Sequence, residues 1–125
     1  MSVRAPTRRG AGSTTTSGPA GLATGVLKLM QHVGLPLLAG TDDGAPVMKH
    51  MPPGFTLHAE LAMYVAEGLT PLEALQTATL NPAEALHATD SLGTVVKGKL
   101  ADLVLLDADP LANIDNTTKI RAVVA

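Results

Sequence analysis

The sequence predicts an α/β fold, and three patterns support this prediction. Apolar residues at helical spacing run through residues 21–33, and Gly34 follows as a natural helix stop. Residues 35–40, LPLLAG, form a short continuous apolar run, which is typical of a strand buried on both faces. Capped helices and then aliphatic runs with glycine turns follow. A helix that leads directly into a buried strand is half of an α/β unit.

The predicted helices are defined by apolar spacing and by signals at their ends. A second helix begins near Leu57 and ends at Gly68. The stretch TPLE places Thr70 as N-cap and Glu73 three residues later, which is a capping box, and NPAE repeats the pattern with Asn81 as N-cap. The apolar side chains expected to face the interior are Leu22, Val26, Leu29, Met30 and Val33 in the first helix, Leu57, Leu61, Tyr64 and Val65 in the second, and Leu72, Leu75, Leu80 and Leu86 in the two short helices.

From residue 91 the pattern changes to that of strands and turns. It predicts a strand near residues 94–96, a turn at residues 97–98, a buried strand at residues 103–106 and a final strand in IRAVVA, residues 120–125. Residues 1–20 are rich in Ser, Thr, Gly, Pro and Ala and offer little to bury, so we expect a disordered or artefactual tail.

Composition excludes several classes of partner and site. The 125 residues carry a net charge of -2, and only 2% are aromatic, so neither a nucleic-acid footprint nor a base-stacking surface is present. The absence of cysteine excludes disulfides and thiolate metal sites and fits a cytoplasmic protein. No apolar run is long enough for a membrane span. The stretch GTVVKGKL comes close to a phosphate-binding loop, but Leu100 stands where the motif needs Ser or Thr.

The four histidines do not form a standard metal motif. His32 and His87 lie near the predicted C-terminal ends of helices, where a protonated imidazole interacts favourably with the helix dipole. His50 lies in the long loop after residue 42, and His58 lies in the first turn of the second helix. Neither H-x-H nor H-E-x-x-H occurs.

Asp42 is the residue best placed for chemistry. It directly follows the predicted buried strand, and the carboxyl ends of parallel strands carry the functional residues of α/β folds. Asp43 lies one residue further into the loop, where a hydrogen-bonding or solvent role suffices. Asp42, Asp43, His50 and His58 could together surround a metal, but such a self-contained site is the least favoured interpretation because zinc ligands need a supporting shell.

Several stretches in order resemble the C-terminal part of the metal-dependent amidohydrolase superfamily, in particular its imidazolonepropionase-like and prolidase-like members. They are GLPLLAGTDDGAP, the L-H-x-E-L segment, GLTPLEAL, T-x-N-P-A and the G-x-x-x-x-G-K-x-A-D-L-V-L-L-D stretch. The resemblance implies a (β/α)₈ TIM-type barrel joined to a small composite β-sandwich. Residues 21–90 would be the last barrel unit and the helices after it, and residues 91–125 would be sandwich strands.

The resemblance also implies a function and its residues. Asp42 matches the aspartate that binds a divalent metal, expected to be zinc, and that acts as general base. His58 is expected to contact the substrate, with helix capping as the alternative. The substrate would be a small amide or a dipeptide-like molecule, hydrolysed by metal-activated hydroxide.

A complete barrel needs about 250 residues, and the other expected metal ligands are missing from this sequence. We therefore expect a truncated fragment that is inactive alone. The alternative is a non-catalytic module that pairs through exposed strands, with a partner or as a homo-oligomer.

Overall fold

The computed structural model describes residues 19–42 and 54–125. In chain order its elements are helices α1 (Pro19–His32), α2 (Phe55–Ala66), α3 (Pro71–Thr77) and α4 (Leu80–Ala85), strand β1 (Leu103–Leu106), a 3-10 helix (Ile114–Thr118) and strand β2 (Ile120–Val124). The predicted tail lies outside the described residues except for Pro19 and Ala20, which begin α1. No helix in these two ranges is long and apolar enough to cross a bilayer.

Helix α1 ends where the sequence predicts, but it turns a different face inward. Gly34 adopts a φ of +70, and the Leu35 amide donates to the Met30 carbonyl at 3.0 Å, which closes the helix end. Leu27 packs against the core cluster. Of the predicted interior positions, Val26, Leu29 and Val33 are exposed because the core touches α1 along the Leu27 side. Met30 is half-buried, and the side chain of Leu22 lies outside the described part of the chain.

The predicted strand at residues 35–40 is wrong, because this segment is irregular and has no partner strand among the described residues. Helices hold its backbone instead. The Ala39 amide donates to the Thr77 carbonyl at 2.9 Å, and the Asn81 side-chain amide donates to the Leu37 carbonyl at 2.8 Å. Burial on both faces is wrong as well, since Leu35 is 55% exposed and Leu38 is 47% exposed.

Helix α2 carries the core. Leu61 and Tyr64 are buried on its inner face with Leu69, Ala74 and Ile114 from later in the chain. The helix ends in a Schellman motif at Gly68, whose φ is +114, as the sequence predicts. The Leu69 amide donates to the Tyr64 carbonyl at 3.1 Å to close that motif. Leu57, which the sequence predicts to face the interior, is exposed.

The two capping predictions have opposite outcomes. The capping box at Thr70 is confirmed, because the Thr70 hydroxyl accepts from the Glu73 amide at 3.2 Å and the Glu73 carboxylate accepts from the Thr70 amide at 2.7 Å. The cap at Asn81 is wrong. Helix α4 begins at Leu80 after Thr79, and the Asn81 side-chain amide donates to the Leu37 carbonyl instead of capping the helix.

Of the four leucines expected inside from the two short helices, only two are even half-buried. Leu75 and Leu80 are partly covered, whereas Leu72 and Leu86 are exposed at the ends of α3 and α4. His87 follows α4 in a left-handed conformation with a φ of +54. The Ala88 amide then donates to the Ala83 carbonyl at 2.8 Å, so His87 occupies the position of a helix-ending glycine.

The last third of the described chain contains a two-stranded antiparallel sheet. β1 pairs with β2 so that Val104 lies opposite Val123 and Leu105 opposite Ala122, with a bulge before Leu106. The expected burial of β1 is wrong, since Leu103, Val104 and Leu105 are all exposed in a sheet that has no third strand in the described part of the chain. The expected strand at residues 94–96 is wrong, and that stretch is irregular.

The turn at residues 97–98 is confirmed, with a φ of +98 at Gly98. The 3-10 helix, which the sequence pattern does not indicate, connects this region to the core. Asn113 caps it by accepting from the Asp115 amide at 2.9 Å, and Ile114 is buried against α2.

Candidate functional site

Asp42 lies at the end of the irregular segment that follows α1. It is exposed and adopts a φ of +51, a left-handed conformation that Asp tolerates better than most residues. Because the segment has no neighbouring strand in the described ranges, the helices that bind its backbone determine where Asp42 lies. The expected position at a strand end is therefore replaced by a position at the end of a helix-supported segment.

Glu60 is the helical residue that binds this segment nearest to Asp42. Its Oε1 accepts a hydrogen bond from the Gly40 amide at 3.2 Å and another from the Tyr64 hydroxyl at 2.6 Å. Its Oε2 is buried and has no hydrogen-bond partner among the described residues. A half-buried carboxylate thus ties the chain two residues before Asp42 to the inner face of α2.

The ionisation of Tyr64 reflects this arrangement. Burial is the largest cause that raises the pKa of the Tyr64 phenol above its ordinary value of 10.0, followed by the hydrogen bond to Glu60 and by the charge of that carboxylate. The phenol stays protonated and donates throughout the neutral range. Glu60 and Tyr64 therefore form a stable link between α2 and the segment that carries Asp42.

His58 lies in the first turn of α2, and its ring contacts the 3-10 helix. Its Nδ1 lies 3.0 Å from the Thr117 hydroxyl oxygen. The Thr117 hydroxyl is buried and donates its single proton to the Ile114 carbonyl at 2.9 Å. The Thr117 oxygen can then accept from His58, an arrangement that fits the tautomer with its proton on Nδ1. His58 thus makes a structural contact, and its expected contact with substrate stays a prediction.

A cleft of about 250 Å³ opens beside His58 at the N-terminal end of α2. Its lining residues are Gly54, Phe55, His58, Thr118 and Ile120. Phe55 is 64% exposed and Ile120 is 47% exposed, so two apolar side chains border the opening. A larger cleft of about 320 Å³ lies between α4 and residues 92–103 and contains no histidine.

The described residues do not fit a complete metal site. No group of three His, Cys, Asp or Glu side chains comes together within residues 19–42 and 54–125. Asp42 is a single exposed carboxylate there, and His50 and Asp43 of the self-contained site lie outside the described residues. A catalytic metal needs about three protein ligands, so no catalytic step through a metal follows from these residues.

Sequence reasoning missed the roles of Glu60, Tyr64 and Asn81. Glu60 and Tyr64 are four residues apart on one helix, the spacing at which side chains meet, so that pair was open to prediction. The bond from Asn81 to the Leu37 carbonyl joins residues that are 44 apart in the sequence, and no local pattern indicates it.

Comparison with known proteins decides the family. The sequence profile described as the amidohydrolase family matches residues 23–125. The chain belongs to the amidohydrolase family. An imidazolonepropionase of Pyrobaculum arsenaticum is 42% identical to it over 82 residues, which cover 62% of this chain. An adenine deaminase of Serratia proteamaculans is 37% identical over 82 residues, which cover 66% of this chain.

The solved structures agree with the sequence relatives. The crystal structure of a Xaa-Pro dipeptidase with bound methionine in its active site matches 85% of this amidohydrolase chain with a TM-score of 0.72 and 26% identity. The chain covers 25% of that dipeptidase, 18% of the imidazolonepropionase and 13% of the adenine deaminase. It therefore corresponds to a minor part of the length of each relative.

Proposed function

We propose that this amidohydrolase chain takes part in the hydrolysis of C–N bonds other than ordinary peptide bonds, or of dipeptide-like amides. The observation that supports this proposal is the family match over residues 23–125, which includes the helix-supported segment ending in Asp42. In the proposed reaction, Asp42 serves as one ligand of a divalent metal, zinc, and as general base. The remaining ligands come from outside the described residues.

The structural roles follow the same proposal. Residues 21–90 correspond to the last unit of a (β/α)₈ barrel with its following helices, and residues 91–125 to strands of a β-sandwich. Two observations support this division. Residues 35–40 have a strand-like sequence without a partner strand in the described ranges, and the β1–β2 sheet leaves its apolar side chains exposed. The chain alone is then inactive.

Complementation tests this proposal directly. The chain is co-expressed with the Pyrobaculum imidazolonepropionase truncated before the region it matches, and hydrolysis of imidazolonepropionate is followed. We expect the mixture to hydrolyse substrate above either part alone, and Asp42→Asn to abolish the gain while a Glu84→Gln control retains it. A folded complex with no gain contradicts the proposal.

The chain by itself provides the second test. We expect less than stoichiometric zinc after purification from zinc-supplemented medium and no turnover of N-acyl amino acids or dipeptides. Stoichiometric metal together with turnover that Asp42→Asn removes would show a self-sufficient enzyme and overturn the proposed dependence on other ligands.

One observation favours a second candidate, a module that pairs through its strands. Val104 on β1 and Val123 on β2 lie opposite each other and are both more than half exposed. Isolated two-stranded sheets are marginally stable, and apolar edge strands favour pairing with other chains. Sedimentation over a range of concentrations tests it. Association that Val123→Lys removes and the exposed helical control Met63→Lys leaves would support it, and a monomer at all concentrations would exclude it.

A further inference from the structure

The hydrogen bonds that fix the backbone of residues 37–40 stop two residues before Asp42. The last of them joins the Gly40 amide to Oε1 of Glu60 at 3.2 Å. Thr41 and Asp42 make no hydrogen bond to any other residue of the two described ranges. Within the described part of the chain, Glu60 is therefore the residue whose hydrogen bond lies nearest to Asp42 along the backbone.

Asp42 has a backbone conformation that needs support. Its φ of +51 lies in the left-handed region, which costs free energy in residues other than glycine, although less in Asp than in most. A residue remains in such a conformation where its surroundings hold it there, and residues of this kind are concentrated at active sites. The Glu60 bond at Gly40 is the nearest described contact that can provide this support.

Glu60 is itself held by the core. Tyr64 lies one turn later on α2, at the spacing that brings two helical side chains together, and its hydroxyl donates to the same Oε1 at 2.6 Å. The Tyr64 side chain belongs to the buried core cluster, so it cannot move without disturbing that cluster. The Gly40 amide is thus connected to the core through two hydrogen bonds that share one oxygen atom.

The second oxygen of Glu60 is not explained by stability. Oε2 is buried and has no hydrogen-bond partner among the described residues. A buried acceptor without a donor lowers the stability of the folded state, and a carboxylate oxygen does so more than a neutral one. A side chain that served only to stabilise this region would avoid that cost. The carboxylate is better explained by its effect on the segment that it binds.

We infer that Glu60 is a positioning residue for Asp42. Its hydrogen bond to the Gly40 amide holds the backbone of Asp42 in the left-handed conformation, and Tyr64 fixes the orientation of the Glu60 carboxylate. The inference rests on the proposed function, because Asp42 is the residue that the proposed reaction uses. It adds two residues of α2 that act through Asp42 and not on the substrate.

The conformation of Asp42 is measured first, by nuclear magnetic resonance on the unmodified chain. The amide proton and the Hα of a residue lie closer together at positive φ than at negative φ, so we expect a strong nuclear Overhauser effect between these two protons of Asp42. We also expect the Gly40 amide to exchange slowly with solvent, because it donates to Glu60. A weak effect at Asp42, or a Gly40 amide that exchanges as in an unfolded peptide, would overturn the inference.

Variants of Glu60 and Tyr64 test which bond holds Asp42. Glu60→Ala removes the acceptor, so the Gly40 amide should exchange about tenfold faster and the strong Overhauser effect at Asp42 should be lost. Glu60→Gln keeps an oxygen that both donors can reach and should restore most of both signals. Tyr64→Phe removes the hydroxyl and keeps the ring, so its result should be intermediate. An unchanged Asp42 signal in folded Glu60→Ala would overturn the inference.

Val65→Ala is the matched control for lost stability. Val65 lies on the same helix and packs partly buried against the core, but it takes no part in either hydrogen bond. Val65→Ala should lower the stability of the chain and leave the Asp42 signal unchanged. An equal loss of that signal in Val65→Ala would assign the effect to stability and contradict the inference. If Glu60→Ala does not fold, Tyr64→Phe and the unmodified chain decide.

The complementation assay separates this inference from the proposed function. When the mixture hydrolyses imidazolonepropionate, Glu60→Ala should lower kcat about ten- to hundredfold and leave KM within about twofold, because a displaced Asp42 affects the reaction step. Glu60→Gln should restore most of kcat, and Glu84→Gln, an exposed control on α4, should leave it unchanged.

The two proposals fail in different ways. An unchanged kcat in Glu60→Ala would overturn the positioning role of Glu60 and leave the hydrolytic role of the chain in place. Failed complementation, together with an Asp42 signal that depends on Glu60, would show that the hydrolytic role is wrong and that Glu60 still positions Asp42. The resonance measurements need neither a metal nor turnover, so they give a result in both cases.

Discussion

The helical part of this chain, α1 to α4, and the β1–β2 sheet contain similar apolar residues. The helical part buries several of them, whereas the sheet leaves them exposed. In the helical part, Leu61 is 4% exposed and Ala74 is fully buried, and the segment before Asp42 is tied down by hydrogen bonds from α2, α3 and α4. In the sheet, Val123 is 65% exposed and Val104 is 55% exposed. Helices satisfy their own backbones and bury one face with near neighbours, whereas strands need partners from elsewhere.

The largest expected effect contrasts a residue from each part. Leu61→Ala removes a buried side chain from a core of few residues and should lower the free energy of unfolding by about 2–5 kcal/mol. Val123→Ala should change it by less than about 0.5 kcal/mol, because the side chain is exposed. Urea denaturation measures both. A comparable loss in Val123→Ala, growing with protein concentration, would show that the sheet is buried in an assembly.

The second prediction concerns a close contact between α4 and the segment that precedes β1. Gly93 has a φ of +85, and a Cβ there would lie 2.7 Å from the Ala83 Cβ on α4. Gly93→Ala should therefore lower the free energy of unfolding by about 2–3 kcal/mol, from strain and overpacking together.

Gly98→Ala is the matched control for Gly93→Ala. Its φ is +98, but a Cβ at Gly98 would meet nothing within 4 Å. It should cost about 1 kcal/mol, from backbone strain alone. Equal melting temperatures for the two variants would show that residues 91–100 do not pack on α4.

The third prediction tests how far local signals support the helical part. Thr70→Ala removes the capping box of α3 and should cost about 1 kcal/mol. Leu72→Ala is the control, because Leu72 is exposed in the first turn of the same helix and takes no part in the cap, so its loss should be smaller. Thermal unfolding followed by circular dichroism measures both. An equal or larger loss in Leu72→Ala would contradict a stabilising role of the cap.

The smallest expected effect is a pH dependence. Hydrogen bonds from the backbone and then the side chain of Thr70 hold the pKa of the Glu73 carboxyl below its ordinary value of 4.5. A lowered pKa in the folded state contributes stability above that ordinary value, and the contribution is lost as the pH falls through the lowered one. Stability should therefore drop in acid, and Glu73→Gln should flatten the drop. An unchanged slope in Glu73→Gln would assign the acid sensitivity to other carboxyls.

The success of sequence reasoning follows the range of the interactions that form each element. The capping box at Thr70 and the glycine ends at Gly34 and Gly68 are confirmed, because each depends on residues within one or two helical turns. The predictions of a strand at residues 35–40 and of a buried β1 are wrong. A strand pattern shows which side chains would be buried in a sheet, but it does not show whether a partner strand is present to bury them.

The candidate site divides in the same way. The position of Asp42 after an apolar run is visible in the sequence, but the Glu60 bond that supports it crosses 20 residues. The His58 ring contacts Thr117, which is 59 residues away, and Thr117 in turn donates to the Ile114 carbonyl. A hydrogen-bond network depends on all of its members, so a local motif such as L-H-x-E-L does not specify it.

The pairing of Tyr64 with Glu60 gives this chain an optical property of its own. The sequence has one tyrosine and no tryptophan. Its fluorescence, and its absorbance at wavelengths longer than those that phenylalanine absorbs, therefore come from Tyr64 alone. That ring is bonded to the carboxylate that also holds Gly40. Release of the segment before Asp42 would change the surroundings of the only emitter. Without any label, the natural chain therefore signals whether its candidate catalytic carboxylate is held in place.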